Sequence, residues 1–203
     1  MILELLQKLL FPRPKGWIAY YGLEDWYLSL SEDTRQKIKV YSPHPDDVDK
    51  GSHLGTTQSA QRYLLTIGTY ASKDPAFAEF MFKSALMARD DNPIDRHFVY
   101  NHMIDLLYKQ RENRADAIDL CIKYCIEDIQ RIEAFKTANE ARFHDGLPAI
   151  PSFGRLKIIY EKQGKFREAI QVCSKAIEVG AWDIEDGNEQ ISKLMKKIKA
   201  TER

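Results

Sequence analysis

The stretch Ile150 to Val179, IPSFGRLKIIYEKQGKFREAIQVCSKAIEV, decides the fold. Phe153, Leu156, Ile159 and Tyr160 recur at spacings of three and four, which places them on one face of a helix. Gly164 interrupts that period, and Phe166, Ala169, Ile170, Cys173, Ala176 and Ile177 then begin a second stripe. Two such stripes separated by a glycine describe an antiparallel helical hairpin. The small Ala169 and Ala176 let the paired backbones approach closely.

A weaker copy of the pattern lies upstream in Phe98–Ile129, where Ile104, Tyr108, Ala117, Cys121 and Tyr124 occupy the equivalent offsets. In place of a turn glycine it has Arg111-Glu112-Asn113-Arg114. A third copy, Gln58–Ala88, places Leu65, Ala78, Phe82 and Ala85 at those offsets and turns at Lys73-Asp74-Pro75. The Ile150–Val179 unit resembles a tetratricopeptide repeat, the family pattern being matched by Phe153, Leu156, Tyr160, Gly164, Phe166, Ala169, Cys173 and Ala176. Lys157 departs from it where a small residue is usual, and so does Ala181, where proline often ends the unit.

The resemblance implies an all-α protein, an α-solenoid of about three degenerate hairpins. The copies are spaced unevenly, with 39 residues from Ala78 to Ala117 and 52 from Ala117 to Ala169, against roughly 34 in regular arrays. The larger insertion is expected to lengthen the second helix of the middle unit, because Ile126, Ile129, Ile132 and Phe135 continue its period.

Outside the repeats, Met1–Phe11 carries apolar residues at helical spacing, which predicts a short amphipathic helix ended by Pro12 and Pro14. An aromatic group follows at Trp17, Tyr20, Tyr21, Trp26 and Tyr27, and it is expected to cap the first repeat. Ser31 ahead of Glu32 and Asp33 predicts a capped helix reaching about Val40, and Tyr41–Thr57 is a connecting loop. At the other end Ile191, Leu194, Met195 and Ile198 share a face, as a terminal capping helix requires. The expected organisation is an N-terminal capping segment and loop over 1–57, helical repeats over 58–180 and a C-terminal capping helix over 181–203.

Thirty Lys and Arg balance thirty Asp and Glu, so no global field draws the chain to phosphate backbones or anionic membranes. Neither nucleic acid nor membrane is expected as a partner. Three cysteines, Cys121, Cys125 and Cys173, fall within apolar stripes, as thiols do when they serve as small hydrophobes in a reducing compartment. A cytoplasmic location follows from that usage.

Chemistry-bearing motifs are few. Residues His44-Pro45-Asp46-Asp47 are similar to the metal-binding motif of zinc-dependent sugar N-deacetylases, and a zinc hydrolase using His44, Asp46 and Asp47 is one alternative, with His53 nearby. That family opens a parallel-sheet domain with further histidine ligands, whereas helical repeats follow here and no His-x-x-His pair exists. Cys121 and Cys125, four apart on a helix, read as core thiols rather than metal ligands. His97 and His102 read as groove or surface residues. No phosphate-binding glycine loop or nucleophile elbow is present, so no cofactor, metal or catalytic residue is expected.

A peptide-binding face is the remaining expectation. In stacked hairpins the first helix of each pair lines the concave surface, which selects Tyr63, Ile67 and Tyr70 in the first unit, His102, Leu106 and Lys109 in the second, and Ile158, Glu161 and Lys162 in the third. This set suits a protein or peptide partner. The reading is thus a non-catalytic adaptor or regulatory module, with a self-associating structural subunit as the alternative. Equally, Ile67, Leu106 and Ile158 are candidates to be covered by the chain's own N-terminal helices or insertion.

Overall fold

The computed structural model describes residues 13–51, 55–56, 58–142 and 147–201. The helix expected over Met1–Phe11, and His53, lie outside them. Every regular element among the described residues is helical: α1 (Gly16–Tyr20), α2 (Glu24–Ser29), α3 (Glu32–Tyr41), a 3-10 turn (Pro45–Asp47), α4 (Ala60–Tyr70), α5 (Pro75–Met87), α6 (Pro93–Lys109), α7 (Ala117–Gln130), α8 (Ile132–Arg142), α9 (Pro151–Lys162), α10 (Phe166–Glu178) and α11 (Ile184–Thr201). None of these helices is long and apolar enough to cross a membrane. The chain divides into two compact units, one running to Asp91 and the other starting at Asn92. The α4–α5 hairpin therefore groups with the N-terminal helices.

Capping chemistry sets the helix starts in the first unit. Ser31 Oγ accepts from the Thr34 amide at 3.2 Å, Ser59 Oγ from Arg62 at 2.9 Å, and Asp74 Oδ1 from Phe77 at 3.1 Å. Pro75 follows Asp74 at the first helical position, where its missing amide hydrogen breaks no bond. Helix α4 pairs with α5, and α3 packs on α4. The α4–α5 approach depends on Gly68, since a β-carbon there would sit 2.5 Å from the Phe82 ring.

Gly16 has a similar role with backbone as its neighbour. Its φ is +58°, and a β-carbon would run into the Asp47 carbonyl. The glycine lets the loop after the 3-10 turn close on α1, where Lys15 N–H donates to Asp49 O at 2.9 Å and Ile18 N–H to Val48 O at 3.0 Å.

In the second unit α6 packs on α7, α7 on α9, α9 on α10 and α10 on α11, while α6 also touches α9. Gly164 ends α9 with φ +72°, and Lys165 N–H reaches back to Tyr160 O at 2.9 Å, closing the helix in the usual glycine C-terminal motif. Buried Ala169, Cys173 and Leu194 form a core with Tyr160, Phe166, Ile170, Trp182 and Ile191 packed around it. Leu194 thus brings α11 onto the last hairpin, while Met195 remains exposed.

The long insertion does not extend α7. Helix α7 stops at Gln130, Arg131 turns the chain, and α8 packs back against α6. Beyond the turn Ile132 and Phe135 are both buried.

Candidate functional site

The stripe Gly154, Lys157, Ile158 and Glu161 lies on α9 apart from the buried Phe153, Leu156 and Ile159. Together with Trp182 just before α11 and Asp186 and Gln190 in its first two turns, its first three residues line a cleft of about 440 Å³. Lys157 Nζ donates to Gln190 Oε1 at 3.0 Å and pairs with Glu161 at 2.9 Å; Lys197 of α11 reaches the other Glu161 oxygen at 2.6 Å. These bonds hold the Glu161 carboxyl below its ordinary range, the lysine hydrogen bonds outweighing partial burial. Glu161 therefore clamps α11 to α9. Ile158 presents an apolar side chain that is 37% exposed. The Trp182 ring lies beside Gly154 at a distance that would put it in ordinary contact with a β-carbon there, 4.0 Å away.

On α6, His102 and Lys109 are exposed and Leu106 is half-buried. Lys109 pairs with Asp105 at 2.6 Å, and Arg155 of α9 stands 3.9 Å from the same carboxylate. Tyr108 is ringed by cations: the Arg155 guanidinium carbon is 3.8 Å from its ring centre, that of Arg111 is 4.5 Å away, and Lys162 Nζ approaches its hydroxyl at 3.4 Å. Lys162 is thus partly engaged within the molecule.

The first-unit candidates divide. Tyr70 is 57% exposed, but Tyr63 and Ile67 are 3% and 0% exposed and so are withdrawn from any open face. The Tyr63 ring stacks on Tyr21 at 5.0 Å and Trp17 at 6.3 Å, so the N-terminal aromatics cover this side of α4. Burial holds the Tyr63 phenol up at about 12, against a smaller opposing hydrogen bond with Ser42. His44 stacks on Trp17 at 5.4 Å, and His44 and Asp46 are exposed. Among the described residues no group of three or more His, Cys, Asp or Glu side chains is arranged to hold a metal.

The cysteines are buried and unpaired. The Cys121 sulfur beside it, together with burial, pushes the Cys125 thiol far up, and burial raises Cys173.

His97 is not on the groove or surface; it is 2% exposed, as is Asp128 of α7. Its Nδ1 lies 2.7 Å from Asp128 Oδ1 and its Nε2 3.0 Å from Asn101 Nδ2, and its ring centre is 4.0 Å from that of Phe135 on α8. This polar knot explains why the chain turns at Arg131: the turn delivers Phe135 as a lid over the imidazole. Two signals for it stand in the sequence, His97 and Asn101 one helical turn apart, and a carboxylate on the same α7 stripe as buried Cys121, Tyr124 and Cys125. Trp182, Lys157 and Gln190 were also missing from the expected face, because the contact between α9 and α11 spans 33 residues from Lys157 to Gln190.

Against known proteins, no family model matches the chain. It is similar to an uncharacterized protein of Aquifex aeolicus (strain VF5), 25% identical over 176 residues that cover 80% of this chain and 84% of the relative. No solved structure matches it.

Proposed function

We propose that the chain is a non-catalytic module that binds a protein segment or peptide through the first-helix face of stacked, tetratricopeptide-like hairpins. The sequential packing of α6, α7, α9, α10 and α11, together with the α6–α9 contact, supports that architecture. The observation that carries the binding role is the α9–α11 cleft. It combines an exposed isoleucine, a tryptophan edge and the amide of Gln190, a mixture suited to one apolar anchor and a few directional bonds from a peptide.

A peptide library selected on the wild-type chain tests this. Selected peptides should lose about tenfold or more in affinity on Ile158→Glu, since burying an unpaired charge under an apolar anchor is unfavourable by more than 1.4 kcal/mol. Because Ile158 is exposed, the thermal midpoint should stay the same. Binders indifferent to Ile158→Glu, or no binders at all, would remove this face from the function.

A further inference from the structure

In the first unit, we infer a second and separate site: a cleft that binds a small, multiply charged oxyanion, such as a phosphate ester or a polycarboxylate. The cleft holds about 430 Å³ and is walled by the residues before α1, by α2 and α3, and by the loop at 49–51. That size lies within the roughly 300–1,000 Å³ of small-molecule sites. Five of the side chains lining it are cations, Arg13, Lys15, Arg35, Lys39 and Lys50, and two are carboxylates, Glu32 and Asp49, a surplus of three positive charges in a chain whose net charge is zero. A low-dielectric cleft concentrates such a local field, while the rest of the chain carries the compensating three negative charges, so any attraction of an anion is local to the cleft.

The two carboxylates are already committed, in different ways. Asp49 accepts from Lys39 Nζ at 2.8 Å and from the buried Tyr27 hydroxyl at 3.1 Å, which makes it part of the floor. Burial and the neighbouring Asp49 charge raise the Tyr27 phenol, so it stays a hydrogen-bond donor. Glu32 binds Arg35 Nη2 at 3.0 Å through Oε2 and accepts from Gln36 Nε2 at 2.7 Å through Oε1, from a side chain that is 68% exposed, so its hold on Arg35 is a solvent-exposed contact that a ligand can replace. Arg35 is only 19% exposed, and its Nε is buried with no partner among the described residues. The Arg35 donor open to a ligand is therefore the Nη2 now held by Glu32, which a more highly charged oxyanion can take over. Lys15 and Lys50 line the same cleft with no side-chain partner among the described residues.

Calorimetric titration of the full chain with inorganic pyrophosphate, and separately with citrate, tests the inference and tells phosphate from carboxylate. One saturable site per chain, with a Kd below about 1 mM at low salt, is expected for at least one of the two. Lys15→Glu combined with Lys50→Glu should weaken binding by about tenfold or more, while Glu32→Gln should strengthen it several-fold by releasing Arg35. Both altered side chains in the double variant are exposed, and an unchanged far-UV spectrum would show that it folds. The inference is overturned if neither anion gives saturable heat up to about 10 mM, if several anions bind per chain with equal affinity, or if the lysine and Glu32 variants match the wild type. A failure at the α9–α11 cleft has no bearing on this titration, because Ile158→Glu leaves the basic cleft intact.

Discussion

Replacing His97 by leucine should destabilise the protein severely, and the size of the effect follows from what is left behind. Asp128 is as buried as His97, and its Oδ2 already has no partner; without the imidazole its Oδ1 loses its partner too. Asn101 likewise keeps a buried carbonyl oxygen without a donor. Removing one member of a buried ion-paired or hydrogen-bonded couple is unfavourable by about 3–5 kcal/mol. For a chain of 203 residues, each kcal/mol lowers the midpoint by roughly 2–4 °C, so a fall of about 6–20 °C is expected. Asp128→Asn keeps an acceptor for Nδ1–H and removes only the charge, so its effect should be about 1–2 kcal/mol.

The decisive variant is the double one, His97→Leu with Asp128→Leu, which removes both polar groups together. If the stranded carboxylate causes the loss, this protein should recover most of it, leaving a residual of about 1–3 kcal/mol from overpacking and from Asn101. Urea unfolding at neutral pH, followed by far-UV circular dichroism on His97→Leu, Asp128→Leu and the double, yields the three differences and their coupling energy. A His97→Leu loss below about 1 kcal/mol, or a double variant as unstable as the sum of the singles, would refute the reasoning that these side chains form one energetic unit.

Other outcomes follow from particular contacts. Gly68→Ala should lower stability by about 1–3 kcal/mol, since the added carbon forces the Phe82 ring and with it α5 outward; thermal unfolding checks this, and a gain of the few tenths expected from helix propensity would show that the contact yields freely. Glu161 has a lowered carboxyl in the folded state, so its contribution is present above the unfolded value and lost as pH falls through the folded one. Because Lys197 is half-exposed, Glu161→Gln should reduce stability by less than about 1 kcal/mol at pH 7, with the difference from wild type closing in acid. Tyr63 works in the opposite direction: its phenol is raised from 10.0 to about 12, so its stabilisation holds below 10 and falls away as pH climbs toward 12. Tyr63→Phe should accordingly resist alkaline unfolding better than the parent, as read by circular dichroism across that range.

How legible these features were depended on the range of the interaction behind them. The hairpin at Ile150–Val179 could be read because its determinants are local: Gly164 at a left-handed turn, apolar stripes at helical spacing, and alanines where two helices touch. The cap at Ser31 is also local, bonding three residues ahead, whereas Asp74, read only as part of a turn, caps α5 in the same way. Helix α8 could not be read the same way. The period of Ile126, Ile129, Ile132 and Phe135 fits one long helix, and periodicity alone contains nothing about His97, which lies 38 residues before Phe135 in sequence and against it in space. Tertiary burial of the imidazole prevailed over local helical continuity.

The same reasoning explains why equivalent first-helix positions have different surroundings in α9 and α4. A first-helix offset identifies which residues point away from the hairpin partner, and in α9 it selects Ile158, which lines a cleft. It contains no information about what else the chain lays over that side. In α4 the covering group is Trp17 and Tyr21, whose rings stack on Tyr63 and convert an expected contact residue into core. Distinguishing the two cases needs a variant that uncovers α4 without touching it. Tyr21→Ala removes a half-buried ring that stacks on Tyr63, so the Tyr63 phenol should gain water and its titration should fall from about 12 toward 10.0. Ultraviolet difference titration reads that shift. An unmoved phenol would mean that Tyr63 owes its burial to α4 and its neighbours alone, and that the aromatic segment lies over a face already closed.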